Sequence, residues 1–304
     1  MKIIFTGLPY FSKKLVAELK DFDNSNTYAF FDTYSSKLDQ VKYLFNIINA
    51  DIVVSFNGVT SKSKALDLAV FFKKKILMQW HGTDVLMALE RKKNNTMLTK
   101  YIDKSMSCTD APWLQEELKS ANIYADLLRF KHIDLLTPNI EKFISSDVLS
   151  YVAEGKEEFY GIEYLLKLAT SFPEVNFHIV GTKGKQFKAY KNIKFYGWIA
   201  QTEFEILRSK HPIFIRLTKH DGYALSILEA LANGNEVLWN YPHPKCHYLD
   251  ISKNIINSFK EILALVERNE YLPNASNIEW VKEHLSKSKV LGNFVCKLMS
   301  IAKK

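Results

Sequence analysis

A chain of 304 residues in which 47% of side chains are hydrophobic can bury the cores of two domains of roughly 150 residues each, which excludes an intrinsically disordered protein. Its apolar runs are a few residues long, against the roughly 20 that cross a bilayer, and Met1–Phe5 is too short for a signal peptide, so a cytoplasmic protein is expected. The net charge of +8 is spread evenly, with 20 basic and 16 acidic side chains in residues 1–145 and 21 and 17 in the rest, which argues against nucleic acid as a partner.

The chain opens with a strand over Lys2–Phe5, a loop to Phe11 and a helix from a Ser12 cap to Phe22. This first turn has Gly7 where a dinucleotide fingerprint has three glycines, so a nicotinamide cofactor is not supported. Gly7 serves either a close ligand approach or a tight turn. Asp21-Phe22-Asp23 spells a metal-binding DxD, but it ends a helix and reads as two solvated loop acids. Strands follow at Tyr28–Phe31, Ile52–Phe56 and Lys75–Trp80, with helices at Lys37–Asn49 and Ser61–Phe72; this alternation predicts a parallel, doubly wound sheet. Lys73-Lys74-Lys75 and Arg91-Lys92-Lys93 read as solvated helix ends, with peripheral contact to an anionic inner-membrane surface or a lipid-phosphate acceptor as the alternative. His81-Gly82-Thr83-Asp84 closes the fourth strand, and Thr83 or Asp84 would cap the helix from Val85. A strand at Ser105–Cys108 and a helix from Ala111, capped by Thr109 or Asp110, complete the first alternation. Residues 124–146, with Pro138, lack a clear period and read as the connection between domains.

A second alternation then begins: strand Val148–Ala153, helix Glu158–Thr170, strands Val175–Val180 and Ile193–Phe195, and helix Thr202–Ser209. Gly181-Thr182-Lys183-Gly184-Lys185 lacks the spacing of a phosphate loop and reads, with Gly197, as a turn near a nucleotide base. Beyond Trp239 lie a Pro-rich loop and helices at Phe259–Glu267, Ile278–Leu285 and Lys287–Ala302. Cys108, Cys246 and Cys296 are odd in number and far apart, so buried free thiols are expected rather than disulfides or a zinc site.

The stretch from Ile213 to Gly234 carries most of the chemistry. An apolar strand, Ile213–Ile215, runs into the polar loop Arg216-Leu217-Thr218-Lys219-His220-Asp221-Gly222 and then a helix that closes at Asn233-Gly234. In open α/β sheets ligands sit beyond the carboxyl ends of the strands, where a helix N-terminus offers N–H groups to an anion. Arg216 and Lys219 would stand beside that anion. The bland alternative makes Asp221 a helix cap, Arg216 the ion-pair partner of Glu229, and Glu229 a solvated residue.

This segment resembles the donor-site motif of family 4 retaining glycosyltransferases, which have the GT-B architecture of two facing Rossmann-like domains, each with a mostly parallel sheet flanked by helices. Asp221 stands where most members have Glu; Gly222, Tyr223, Ala224 and Leu225 match the loop, and Glu229, Ala230, Leu231, Ala232 and Gly234 match the helix. The His81-Gly82-x-Asp84 run resembles the loop whose His faces the donor sugar. The resemblance implies an acceptor-side domain over residues 1–143, a donor domain over 144–285, and a last helix, 286–304, that crosses back to the first. It further implies metal-independent transfer of a sugar from a nucleotide diphosphate to a hydroxyl of a glycan or lipid-linked saccharide. Asp221 would contact the donor sugar, Glu229 the ribose, and His81 the sugar or acceptor, with no bound cofactor. The Arg and Lys that usually clamp the diphosphate are replaced by Glu154 and Tyr160, with Lys156 nearby, and Glu236 replaces a Pro. A non-catalytic nucleotide- or glycan-binding partner protein of the same fold is the alternative.

Overall fold

Strands buried on both faces alternate with amphipathic helices, and a parallel sheet covered on both sides is what such runs build. The computed structural model describes residues 1–133, 142–187 and 190–303. Pro138 lies outside them. The chain divides into two compact units, Met1–His132 with Lys287–Lys304, and Ile133–Ser286.

In the first unit β1 (Lys2–Thr6), α1 (Pro9–Phe22), β2 (Thr27–Phe30), α2 (Lys37–Ile47), β3 (Ile52–Ser55), α3 (Lys64–Phe71), β4 (Lys75–Trp80), α4 (Thr83–Lys93), β5 (Ser105–Thr109), α5 (Pro112–Ser120) and β6 (Ala125–Leu127) follow in order. Their strands pair in the order β2-β1-β3-β4-β5-β6, all parallel. In the second unit the elements are β7 (Val148–Tyr151), α6 (Ile162–Ser171), β8 (Phe177–Val180), β9 (Ile193–Gly197), α7 (Gln201–Lys210), β10 (Ile213–Arg216), α8 (Leu225–Ala232), β11 (Glu236–Trp239), β12 (His247–Tyr248), α9 (Ile255–Arg268) and α10 (Ala275–Leu285). Here the order is β12-β11-β10-β7-β8-β9, again all parallel. The α/β class of two Rossmann-like sheets is therefore as expected from the alternation.

The closing helix α11 (Lys287–Lys303) belongs to the first unit, where Leu291, Phe294 and Leu298 are buried with Phe5 and Leu19. Each such burial contributes about 1.5–3 kcal/mol.

Several local expectations need correction. Helix α1 starts at Pro9, which tolerates a missing N–H there, and Ser12 is not its cap: its hydroxyl donates to the Gly7 carbonyl at 2.5 Å. Likewise α5 starts at Pro112 behind Ala111, so neither Thr109 nor Asp110 caps it, and α4 follows Gly82 rather than Thr83. Helix α6 begins at Ile162 because Gly161, at φ +62°, turns the chain just before it. Ala125–Leu127, read as linker, is an edge strand on β5; three residues are too few to show a period. Of the cysteines Cys108 is buried, Cys246 half-buried and Cys296 exposed, so the expectation of buried thiols holds fully for one. Burial pushes the Cys108 thiol up to about 12. Among the described residues no helix is long and apolar enough to cross a membrane.

Candidate functional site

In the second unit successive strands leave β7 in opposite directions, β8 and β9 to one side and β10 and β11 to the other. The topological switch point, where open α/β sheets form a crevice, thus lies between β7 and β10. The loops that follow these two strands meet there. The Lys219 N–H donates to the Phe159 carbonyl at 2.9 Å, and the Lys219 ammonium pairs with Glu158. Arg216, the last residue of β10, is buried; its Nε and Nη2 donate to Asp221 at 2.5 and 3.0 Å, and its guanidinium lies 5.2 Å from the centre of the Tyr160 ring. Burial alone would favour loss of the Arg216 proton, but the Asp221 carboxylate outweighs it and holds the group firmly charged.

This corrects the pairing considered from sequence. Arg216 binds Asp221, five residues on, and Glu229 takes Arg208 of α7 at 2.8 Å. The helix α8 that carries Glu229 starts after Ala224 with no side-chain cap, so Asp221 is not a capping residue. Two asparagines hold Arg208 in place, Asn233 and Asn235 donating to its carbonyl at 3.0 and 3.1 Å. The Asp221 N–H donates to the Tyr241 hydroxyl at 3.1 Å, and Asn240 bridges Thr218 through both its N–H (3.1 Å) and its carbonyl (2.8 Å). Tyr223 Oη lies 3.1 Å from His243 Nε2. Gly222 to Leu225 therefore run from a loop pinned on β11's far end into the start of α8, whose first N–H groups form an anion-favouring end.

Gly181, Lys183 and Gly197 gather on the other side of β7. The Gly181 N–H donates to the Gly197 carbonyl at 2.7 Å, and the Lys183 N–H to the Glu154 carboxylate at 2.6 Å. At Gly181, φ is +99° and a Cβ would fall 2.6 Å from the Val152 carbonyl, so a side chain is excluded. Lys156 is exposed in the same β7 loop. Glu236 plays a different part: buried, it accepts from Asn274 at 2.9 Å and lies 2.7 Å from His247, tying β11 to its neighbours.

The first unit has its own switch point, between β1 and β3. Gly7 turns there at φ +87°, where an added Cβ would meet Asn57 Oδ1 at 2.1 Å. Beside it, at the end of β4, the His81 ring packs against Phe56 and Phe130, centroids 4.7 and 5.0 Å away. Burial, the nearby Lys131 ammonium and only a single opposing hydrogen bond to the Phe56 carbonyl hold His81 well below the usual histidine range, so it is neutral, and its Nε2 is buried without a protein partner. Asp84 fixes the loop: its carboxylate accepts from the N–H groups of Gly58 (2.5 Å), His81 (3.0 Å), Gly82 (2.9 Å) and Val85 (3.0 Å). Burial pushes its carboxyl up against the pull of those four donors.

Asp221, Arg216 and Lys219 thus share one corner of the second unit, Glu229 of α8 faces Arg208 of α7, and His81 and Gly7 share one edge of the first. Arg208, Tyr160, Asn240 and Asp84 complete these arrangements. The reading of Asp21 and Asp23 as two solvated loop acids needs correction: Asp21 lies in the last turn of α1, and Asp23, half-buried, accepts from Ser25, Asn26 and Tyr28 in the turn after it.

No family model matches the chain, and no curated protein matches it. Solved structures do share the fold. Sucrose-phosphate synthase from Thermosynechococcus elongatus aligns at 10% identity over 99% of each chain with a TM-score of 0.69. A UDP-GlcNAc 2-epimerase from Neisseria meningitidis, bound to UDP-GlcNAc, aligns at 16% identity over 99% of this chain and all of its own, with a TM-score of 0.56. The pneumococcal O-GlcNAc transferase GtfA, in complex with UDP and GlcNAc, aligns at 12% identity and a TM-score of 0.61 over 83% of this chain; the chain spans 57% of that protein's length. At such identities the similarity establishes the GT-B type of α/β fold.

Proposed function

We propose that the chain is a retaining, metal-independent glycosyltransferase of the family 4 type, which moves a sugar from a nucleotide diphosphate to a hydroxyl of a glycan or lipid-linked saccharide. The observation that carries this reading is the meeting of the Arg216–Asp221 pair with the N-terminus of α8 at the β7/β10 switch point, with Glu229 one helix turn further on. The barrier to transfer is departure of a diphosphate from an oxocarbenium-like centre, so the site must stabilise negative charge on the leaving group. Arg216, the start of α8 and Lys219 supply that stabilisation without a metal. Tyr160, standing where the family clamp has Lys, lies under Arg216 and keeps it in place instead of binding phosphate itself. Asp221 contacts the donor sugar and Glu229 the ribose hydroxyls. His81, neutral with a buried free Nε2, contacts the sugar or orients the acceptor.

A lipid-linked acceptor suits the surface of α2. Leu38, Val41, Phe45 and Ile48 form one exposed stripe at helical spacing, and Phe45 is 68% exposed. Lys37, Lys42 and Lys73 are exposed around it, and Lys74 donates to the Ile48 carbonyl at 2.8 Å, so the basic cluster borders the stripe. This pairing of apolar and cationic groups fits an anionic membrane surface.

The decisive experiment is calorimetric titration of the wild type, Asp221→Ala and Glu229→Ala with UDP-, GDP-, ADP- and dTDP-sugars, with slow donor hydrolysis scored in the same samples. Binding of one donor with hydrolysis, weakened in both variants, is expected. Binding without turnover in the presence of candidate acceptors would favour the non-catalytic partner, as the replacement of both clamp cations allows; conversion of the donor sugar to an epimer would overturn transfer.

A further inference from the structure

At the opposite edge of the second unit's sheet, three potential metal ligands that no motif connects come together. Asp147 directly precedes β7, His178 is the second residue of β8, and His211 directly follows α7 before β10. A carboxylate oxygen and one nitrogen of each ring lie within 4.8 Å of one another. The imidazoles stack, centroids 4.0 Å apart and 22° from parallel, and His178 Nε2 lies 3.6 Å from Asp147 Oδ2. These residues sit at the N-terminal ends of the strands. The four-residue β7 separates them from the Arg216–Asp221 corner by roughly 13 Å, at about 3.3 Å per residue.

The hydrogen bonding around the group is fixed on the outside and open on the inside. His178 Nδ1 meets the Tyr196 hydroxyl at 2.7 Å, and Asp147 Oδ1 accepts from the Asn176 N–H and its side-chain amide, both at 3.1 Å. Facing inward, His178 Nε2 and His211 Nδ1 are buried and have no hydrogen-bond partner among the described residues, His178 Nε2 having only its 3.6 Å contact to Asp147, and His211 is 5% exposed. A buried His211 Nδ1 with no hydrogen-bond partner, beside a His178 Nε2 that has only the long contact to the Asp147 carboxylate, makes a donor set that suits a cation.

We propose that Asp147, His178 and His211 bind a divalent transition ion of the zinc class, at a site distinct from the donor corner. Imidazole and carboxylate together suit such an ion, and three protein ligands leave one position for water. Tyr196 and Asn176 act as the outer partners that orient His178 and Asp147. Ligands about 2.0–2.1 Å from a tetrahedral zinc lie roughly 3.3 Å apart, so binding draws the three donors inward and opens the ring stack. Sequence spacing hides the site, since its members come from the starts of three separate strands.

Tag-free full-length protein, stripped with chelator, is titrated with Zn²⁺ by calorimetry and, in parallel, with Co²⁺ by visible spectroscopy. The expected result is one ion per chain, a tetrahedral Co²⁺ spectrum, and a rise in the midpoint of thermal unfolding on Zn²⁺ addition. His211→Ala and Asp147→Asn should each bind at least roughly tenfold more weakly. His243→Ala, on another part of the unit, should bind as the wild type does. Asp147→Asn keeps the size of the side chain and its hydrogen bonds to Asn176, so its folding, checked by circular dichroism, separates lost ligation from lost structure. Absence of stoichiometric binding by the wild type, or unchanged binding in folded Asp147→Asn, would overturn the proposal. Donor-sugar binding is read in a separate titration and is expected to be the same with and without the ion, so failure of one reading leaves the other standing.

Discussion

The two switch points hold their polar groups by different means. In the first unit, Asp84 spends its carboxylate on four backbone N–H groups, and the loop bearing His81 is set before any ligand arrives. In the second, side chains hold one another: Arg216 with Asp221, Arg208 with Glu229, Lys219 with Glu158. A loop fixed through its backbone presents neutral, oriented surface, as the uncharged His81 does. A loop fixed through ion pairs carries charge in reserve, which an anionic ligand can draw on by competing with the resident carboxylates. One edge therefore reads as suited to orientation and the other to charge.

The largest effect should come from breaking the buried pair. Both Arg216 and Asp221 side chains are about 10% exposed, so Asp221→Ala leaves a guanidinium buried without its partner, a loss of about 3–5 kcal/mol in denaturant unfolding. Replacing both members, Arg216→Met with Asp221→Leu, should restore most of that stability while leaving donor binding abolished. Such a result would separate the pair's cost to the fold from its use in binding. A double variant no more stable than Asp221→Ala would mean that the pair organises the loop outright.

On the other edge, Asp84→Ala strands several backbone donors at once and should cost about 3 kcal/mol. The comparison predicts a further difference. The Asp84 variant should lose His81-dependent acceptor use with little change in donor affinity, whereas the Asp221 variant should lose donor affinity first. Equal loss of both in each variant would erase the distinction between the edges.

A smaller, pH-dependent effect sharpens the same contrast. Folding lowers the His81 pKa below its unfolded value near 6.5, so below that pH the unfolded chain binds more protons than the folded one. Stability therefore falls as pH drops through 6.5 toward the folded pKa, by up to about 1.4 kcal/mol per pH unit. His81→Asn removes this contribution. Since the remaining histidines act alike in both proteins, the gap between their unfolding curves isolates it, and that gap should narrow on acidification. A constant gap between pH 7 and 5 would mean that His81 is not held neutral.

How much of this was readable in advance follows from what lies close in sequence. Asp221, Gly222 and Glu229 fall in one contiguous stretch and Arg216 ends the strand before it, so the corner could be named without a structure. Alternation of apolar runs with helical segments gave both sheets for the same reason. Arg208 could not be named, and Tyr160 could be named only as the replacement of a clamp lysine and not as the ring beside Arg216, because strand order and register, which bring α7 and the β7 loop beside β10, are set by tertiary pairing. The alternative that paired Arg216 with Glu229 fails because the loop after β10 folds Asp221 back onto Arg216, while Arg208 of α7 takes Glu229. Helices α1, α5 and α6 start where Pro9, Pro112 and Gly161 set them through backbone geometry, which a pattern of capping hydroxyls and carboxylates does not mark. Strand β6 was lost because an edge strand of three residues carries no period.

The smallest effect on the fold should be the most informative about binding. Lys219 pairs with Glu158 at the surface, their side chains 54% and 83% exposed, and exposed pairs of this kind contribute little because water and salt screen them. Lys219→Ala should therefore leave the unfolding midpoint unchanged. If the second unit holds its cations in reserve for a diphosphate, the same change should weaken nucleotide-sugar binding several-fold, and the deficit should shrink as salt screens the lost attraction. Glu158→Ala should act in the opposite sense, releasing Lys219 and tightening binding. Equal affinity in wild type and both variants would restrict the working charge of this edge to Arg216 and the start of α8, and the anion would then be held by buried groups alone.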